Sequence, residues 1–392
     1  MILNVVVVAV VTAMAALLAS RRVASAPLWR ATTTPLASII GSGFLVLGPL
    51  LGGAYGIWAI LVMAVLNAVA WAFGAAIRQS IADPRPSPRL DTAASVVLAF
   101  AYVISVAYYL NLFGAFAVSL TPFDTDLAAR TVSTAVFLCV LIVGWTKGFA
   151  ALERMEQVSV GIKLAIIAGL LTGLAITFAQ RAGAGTLIIE TQHLAFWPAI
   201  TLGFGLIVTV QGFETSRFLG ESYDAPMRVR SMKLAQLTAA AIYMVYIILL
   251  VPLFAASEYQ LSETAIIDMM AGVVPVLPLL LVAAALAAQF SAAVADTSGS
   301  GGLIAEVTRG RVDRRTGYAV LVGLGIVMTW TLDVFQIIAF ASRAFALYYT
   351  LQAVVAAQTS LGRGAKTRAF GWAALAIFGA LIVVLGRAAE GG

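Results

Sequence analysis

Residues 34–53 read TPLASIIGSGFLVLGPLLGG, an apolar run interrupted at its middle by Gly41-Ser42-Gly43. The run has the length of about 20 residues that a helix needs to cross roughly 30 Å of hydrocarbon. Two glycines around a serine weaken the helix there and free backbone N–H and C=O groups. In hydrocarbon such groups are costly unless they line a cavity or meet a guest. The other reading is close helix packing, since small residues also let backbones approach; Gly48 and Gly52 read that way.

The surroundings place this run in a membrane. Of 392 residues, 61% are hydrophobic and 11% charged, whereas a soluble domain carries about 25% charged residues. Eleven further apolar runs lie near 2–20, 54–77, 92–120, 131–146, 155–179, 197–217, 231–256, 272–306, 316–332, 335–358 and 368–387. They are far longer than the roughly ten-residue alternating strands of a membrane barrel. The expectation is an all-α polytopic membrane protein with twelve transmembrane helices. Residues 2–20 lack the basic stretch that precedes a signal-peptide core. Arg21 and Arg22 follow instead, which suits a retained helix with its N-terminus outside.

Lys and Arg mark the cytoplasmic side. Arg21, Arg22 and Arg30; Arg78, Arg85 and Arg89; Lys147 and Arg154; Arg217, Arg228, Arg230 and Lys233; Arg309, Arg311, Arg314 and Arg315; and Arg363, Lys366 and Arg368 all fall in alternate loops. The opposite side holds Arg130, Arg181 and Arg387 beside Asp124, Asp126, Glu258, Glu263 and Asp268. This alternation predicts both termini outside. Residues 257–271 predict a short external helix, with Ser262 and Asp268 as weak start signals.

The same inventory excludes several functions. The net charge of +6 is spread over short loops, so no basic patch for nucleic acid forms. One cysteine, Cys139, permits no intrachain disulfide and no thiolate cluster; in an apolar helix it reads as packing. One histidine, His193, stands in an external loop without partners. The TSGSGG run at 297–302 lacks the GK[ST] of a phosphate loop. No constellation for metal or nucleophilic catalysis, and no cofactor motif, is present, so the chain does not read as an enzyme.

A second interruption stands five helices on, in TLGFGLIVTVQGFETSRFLGE at 201–221. Gly203, Gly205 and Gly212 flank a stretch that ends in Gln211-Gly212-Phe213-Glu214. Glycine-broken helices at matching positions of two halves point to the binding site of a secondary transporter. Half-helix N-termini attract anions and freed carbonyls attract cations. Four ionisable residues also lie within spans: Lys163, Glu214, Asp296 and Arg343. Each costs about 2.5–3.5 kcal/mol at mid-bilayer and is a functional candidate by default. At 1.5 Å per residue, Lys163 lies about 13–14 Å past Arg154, and Asp296 about 15 Å before Glu306. Their depths agree.

The GSGFLVLGPLLGGAYG stretch at 41–56 resembles the first core helix of the amino acid–polyamine–organocation superfamily. VQGFETSRFLGESYDAPMRVRSMKLA at 210–235 resembles its sixth core helix and following loop. LERMEQVSVGIKLAII at 152–167 resembles its fifth, including a lysine at the place of Lys163. The resemblance covers residues 34 to about 360. It implies a leucine-transporter-like core of two inverted five-helix repeats, at 34–180 and 190–360. Residues 1–33 then add an N-terminal helix and cytoplasmic loop, and 361–392 a trailing helix.

The resemblance also implies a function. A small amino acid or related organic solute would be carried by alternating access, coupled to protons or sodium, across a plasma membrane such as a bacterial inner membrane. The alternatives are a potassium-type cation transporter of the same fold, or a non-transporting membrane sensor or scaffold. The solute's carboxylate would sit at N–H groups around Gly41, Ser42 and Gly43. Its amine would face carbonyls of Ile39, Ile40, Val208 and Thr209, with Gln211, Gly212 and Tyr108 nearby. In this family the first, fifth and eighth core helices meet at a coupling site. By resemblance Lys163 replaces its cation there, and Thr297 and Ser298 fall where hydroxyl ligands stand. Asp296 would tune Lys163, or the two would form a structural ion pair. Glu214 reads either as a proton acceptor or as a cap on freed N–H groups. The family's bulky gate before the sixth-helix glycine is here Val208, which shifts the gate to Phe204 or Phe213. Arg343 reads as a gate or as the partner of an acidic neighbour.

Overall fold

The computed structural model describes residues 2–41, 43–83, 88–146, 150–191 and 194–389. Ser42, Arg85, Lys147 and His193 therefore lie outside the described residues. Among those described, helices account for nearly all regular structure, in chain order α1 (Ile2–Ala19), α2 (Arg21–Ala24), α3 (Pro27–Gly41), α4 (Phe44–Tyr55), α5 (Ala59–Ala82), α6 (Pro88–Val118), α7 (Asp126–Thr146), α8 (Ala150–Gly183), α9 (Phe196–Gly205), α10 (Ala225–Leu250), α11 (Ala265–Ala271), α12 (Leu277–Val307), α13 (Arg314–Thr331), α14 (Val334–Gly362) and α15 (Lys366–Leu385).

Every apolar run read from the sequence lies on helix, but nine stretches are long and apolar enough to cross a membrane whole. The difference has physical causes. The interrupted runs leave pieces as short as the ten residues of α9. α4 continues through a 3-10 turn at Gly56–Trp58 into α5, so that Phe44–Ala82 counts as one stretch of 39 residues. α13 opens on Arg314 and Arg315, which dilute an 18-residue helix.

Helix starts follow side chains that accept orphan N–H groups. Asp224 accepts from Met227 N at 2.8 Å at the head of α10. Asp333 accepts from Gln336 N at 2.9 Å, and the Gln336 side chain returns to Asp333 N at 3.3 Å, a capping box on α14. The external helix is shorter than expected. It is α11, whose N-cap position is Thr264 rather than Ser262 and whose first turn carries Asp268.

α6 runs through the middle of the molecule. Nearly every residue from Ala101 to Leu112 is buried, as suits a helix apolar all round, and α12 and α14 pack along it. α1 is peripheral: only Val7 is buried, and it rests on Gly169 and Gly173 of α8. Cys139 on α7 is exposed, so its side chain faces outward instead of filling a core as expected.

Candidate functional site

Both interrupted runs break. α3 ends at Gly41, Gly43 has φ +130°, and α4 begins at Phe44. α9 ends at Gly205 and gives way to a 3-10 turn at Ile207–Val210. Gln211 is then extended, Gly212 has φ +116°, and a 3-10 stretch runs over Phe213–Glu221. A positive φ suits glycine because it has no Cβ to clash.

The two breaks are packed against each other. A side-chain carbon at Gly212 would lie 2.5 Å from Ser38 Oγ and 2.6 Å from Ile39 N. One at Gly43 would lie 2.5 Å from the Tyr108 hydroxyl and 3.1 Å from Thr209 Cγ2. Tyr243 of α10 ties the pair: its hydroxyl lies 2.7 Å from Thr209 O and 3.1 Å from Ile39 O. One hydroxyl has one proton, so two carbonyls from two breaks compete for it. Ser342 of α14 bridges the second break, donating to Gly205 O at 2.6 Å and accepting from Val208 N at 3.1 Å.

Of the carbonyls expected to face an amine, Ile39 and Thr209 thus converge on one point. The Val208 carbonyl does not join them, because Gln211 N donates to it at 3.2 Å. Gln211 Nε2 donates to the Tyr109 hydroxyl at 2.8 Å. Ile40 and Tyr108 are buried at the junction.

Lys163 of α8 is 2% exposed and donates to Ala37 O in the last turn of α3 at 2.9 Å. Its ammonium also lies 3.7 Å from the Cβ position of Gly41, where Ala292 of α12 closes the other side at 3.3 Å. The α3, α8 and α12 helices therefore meet at Gly41. One turn further along α12, Asp296 accepts from Ser105 of α6. Ser105 and Tyr109, at i and i+4, share a face of α6, so that face links Asp296 to Gln211. Thr297 is buried, but its hydroxyl donates back to Ala293 O at 2.6 Å, and Ser298 is half-buried.

Glu214 is fully buried. Its Oε2 accepts from Gly212 N at 3.0 Å and from the Tyr349 hydroxyl at 2.9 Å, so it fastens an N–H freed by the break. Phe213 stacks on Tyr349 with centroids 5.1 Å apart and remains beside the junction. Phe204 does not; it meets Phe378 of α15 edge-on at 5.5 Å, because residue 204 faces away from α3. Arg343 has a backbone partner where an acidic one was expected: Nε donates to Gly386 O at 3.0 Å, and Nη2 donates to the same oxygen.

Two clefts of about 620 and 670 Å³ adjoin on the acidic side, sharing Asp126, Ser262 and Glu263. The first reaches Asn111 and Phe335. In the outer loop, burial pushes the Glu263 carboxyl up from its ordinary value, and Asp126, Asp124 and Asp333 add to the shift. On the basic side Arg217 pairs with Asp91 at 3.4 Å, and Arg228 donates to Arg217 O at 2.8 Å. Among the described residues no group of three or more His, Cys, Asp or Glu could hold a metal.

Sequence reasoning missed Tyr243, Ser342 and Ser105. Each is a lone hydroxyl within an apolar helix, and a hydroxyl at that depth needs a partner; that was the available signal.

A family model for APC superfamily transporters matches residues 21–386. An uncharacterized protein of Aquifex aeolicus (strain VF5) is 41% identical over 344 residues, covering 84% of this chain and 83% of its own. With the apolar helices and paired breaks already described, these matches establish that the chain is an integral membrane protein belonging to the APC superfamily of transporters.

Proposed function

We propose that the protein is a secondary active transporter that binds a small amino acid or related organic solute between the two breaks and works by alternating access. The observation that carries this reading is the convergence of Ile39 O and Thr209 O on the Tyr243 hydroxyl. An ammonium group, with its three donors, satisfies two such carbonyls better than one shared proton. A carboxylate would lie at the N-terminus of α4, where N–H groups and the helix dipole favour an anion. In the present conformation Tyr108 and Tyr243 close over this junction, so solute entry requires one of them to move.

In this reading twelve spans form two inverted five-helix repeats, at 34–180 and 190–360, with α1 and α15 added. Both termini lie on the acidic, outer face of a plasma membrane such as a bacterial inner membrane. Lys163 serves as the coupling group, with protons as the driving ion. Its ammonium holds the last turn of α3, and its charge state sets whether α3 is held. Asp296 and Glu214 supply the negative charge on the opposite faces of the same core.

The test is uptake into proteoliposomes under a pH gradient, after thermal-shift screening against amino acids, amines and monovalent cations. A stabilising amino acid supports the reading. Stabilisation by potassium alone replaces it with ion transport of the same fold, and no stabilisation or uptake favours a non-transporting role. Lys163→Ala is expected to abolish pH-driven uptake while the protein still inserts in the membrane. Normal pH-dependent uptake by that variant removes Lys163 from coupling.

A further inference from the structure

The residues that follow α15 do not leave the protein. α15 stops at Leu385, and residues 386–389 continue without helix. The Gly386 carbonyl accepts from Arg343, and the Arg387 N–H donates to Thr201 O of α9 at 2.9 Å. Gly205, the last residue of α9, lies directly beneath: a side-chain carbon there would overlap the Arg387 carbonyl oxygen. The contact is therefore backbone on backbone, which only glycine permits at such closeness.

Depth makes this arrangement unusual. Arg343 stands nine residues into α14 from Val334, about 13 Å along the helix, and the ten residues of α9 carry Gly205 to about 15 Å. The segment after α15 thus sits at the level of the second break. From there Ala388 and Ala389 rise to line the acidic-side cleft, beside Asn111 and Phe335. Non-helical backbone persists at membrane depth only where protein groups satisfy it. Arg343 and Thr201 do so here, and the neighbouring Ser342 holds Gly205 O and Val208 N. Two consecutive residues of α14 therefore secure the break and the segment that lies over it.

We propose that residues 386–389 are a strap that fastens α9 and occupies the acidic-side approach to the second break, so that α9 tilts only when the strap lifts. Arg343, Gly386 and Arg387 are positioning residues in this scheme, acting on the solute site through α9. The importance of the strap for transport rests on the transporter reading, but its docking is a packing statement that can be checked without transport.

The experiment is hydrogen exchange on the purified full chain in nanodiscs, read at residues 199–210 against α12 as an internal standard. Two variants release the strap. One ends the chain after Gly386. The other, Arg387→Pro, removes the single N–H that donates to Thr201; Gly386 already has φ −58° and ψ 133°, which a following proline accepts. Each is expected to speed exchange at 199–210 by roughly tenfold, as for a segment whose local opening free energy falls. Gly205→Ala in the full chain should displace the strap and give the same rise. In the chain ended after Gly386 it should add nothing. Unchanged exchange in Arg387→Pro overturns the strap, as does a Gly205→Ala effect that is equally large in the shortened chain. If the shortened chain fails to fold, Arg387→Pro with and without Gly205→Ala decides by the same non-additivity. Faster exchange in a protein that moves no solute would uphold the strap and defeat the transporter reading.

Discussion

Tyr243 holds two carbonyls that belong to different broken helices. Removing the hydroxyl takes a donor away from two buried acceptors, at a cost of about 1–3 kcal/mol. Tyr243→Phe is therefore expected to lower the melting temperature of the purified protein, and an added solute with an ammonium group should restore much of the loss. Equal melting temperatures for the two proteins would show that the hydroxyl is not holding the breaks. Gly212 answers to a stricter constraint. Its φ of +116° and the 2.6 Å approach of Ile39 N leave no place for a methyl group. The left-handed region alone costs an L-residue about 1–2 kcal/mol, so Gly212→Ala should lose more stability than Gly203→Ala, measured by thermal unfolding. Gly203 makes a useful control because its Cβ position meets only the Tyr55 hydroxyl, at 3.5 Å.

At the scale of helices, the sequence displayed both breaks, since a glycine cluster around polar residues in an apolar run weakens the helix wherever it stands. It also displayed Lys163 and Asp296 at one depth, because a helix converts residue number into distance. It did not display which partners they take. Ala37 O, Ser105 and Gly386 O are reached across helices whose rotation about their axes no single stretch encodes. Arg343 illustrates this: an arginine in a span invites an acidic partner, yet a helix C-terminus with its free carbonyls serves as well. The end of α15 was hidden for a related reason. Residues 368–387 are apolar to the end, and what stops the helix is Gly386 docking on α9, a tertiary event. The cap at the head of α14 is a local signal, carried by Asp333 and Gln336 three residues apart. Asp333→Ala removes half of that capping box from the helix that carries Ser342, Arg343 and Tyr349. It should destabilise the protein by about 1 kcal/mol, visible as a lower melting temperature, and Asp333→Asn should recover most of it.

For the whole molecule, charge divides the two faces. Arginines and lysines gather on one, while the other carries two clefts lined by carboxylates. Glu263 stands between those clefts with its carboxyl raised by burial and by Asp126, Asp124 and Asp333. A folded-state value above the unfolded one means that the native protein binds the proton more tightly. Stability is then lost as pH rises from the ordinary carboxylate value through the raised one, and regained on acidification. Glu263→Gln should raise the melting temperature at neutral pH and flatten its dependence between the two values. A variant that melts as the parent does at every pH would place the strain elsewhere. The division of charge between the faces was legible from Lys and Arg spacing alone, because flanking positive charge is set by how helices are inserted. The clefts were not, because they form between loops far apart in the chain.

The shallow seat of α1 bears on how the protein is made. Its main resting place is a glycine shelf on α8, and Val7 and Gly169 are separated by most of the first half of the chain. At roughly 5–20 residues per second of synthesis, the first helix waits about ten to thirty seconds for that shelf to emerge. During the wait it must survive alone in lipid. A stretch built from valine, alanine and leucine, with Asn4 and Thr12 among its few polar side chains, suits that solitary period better than it suits tight docking afterwards.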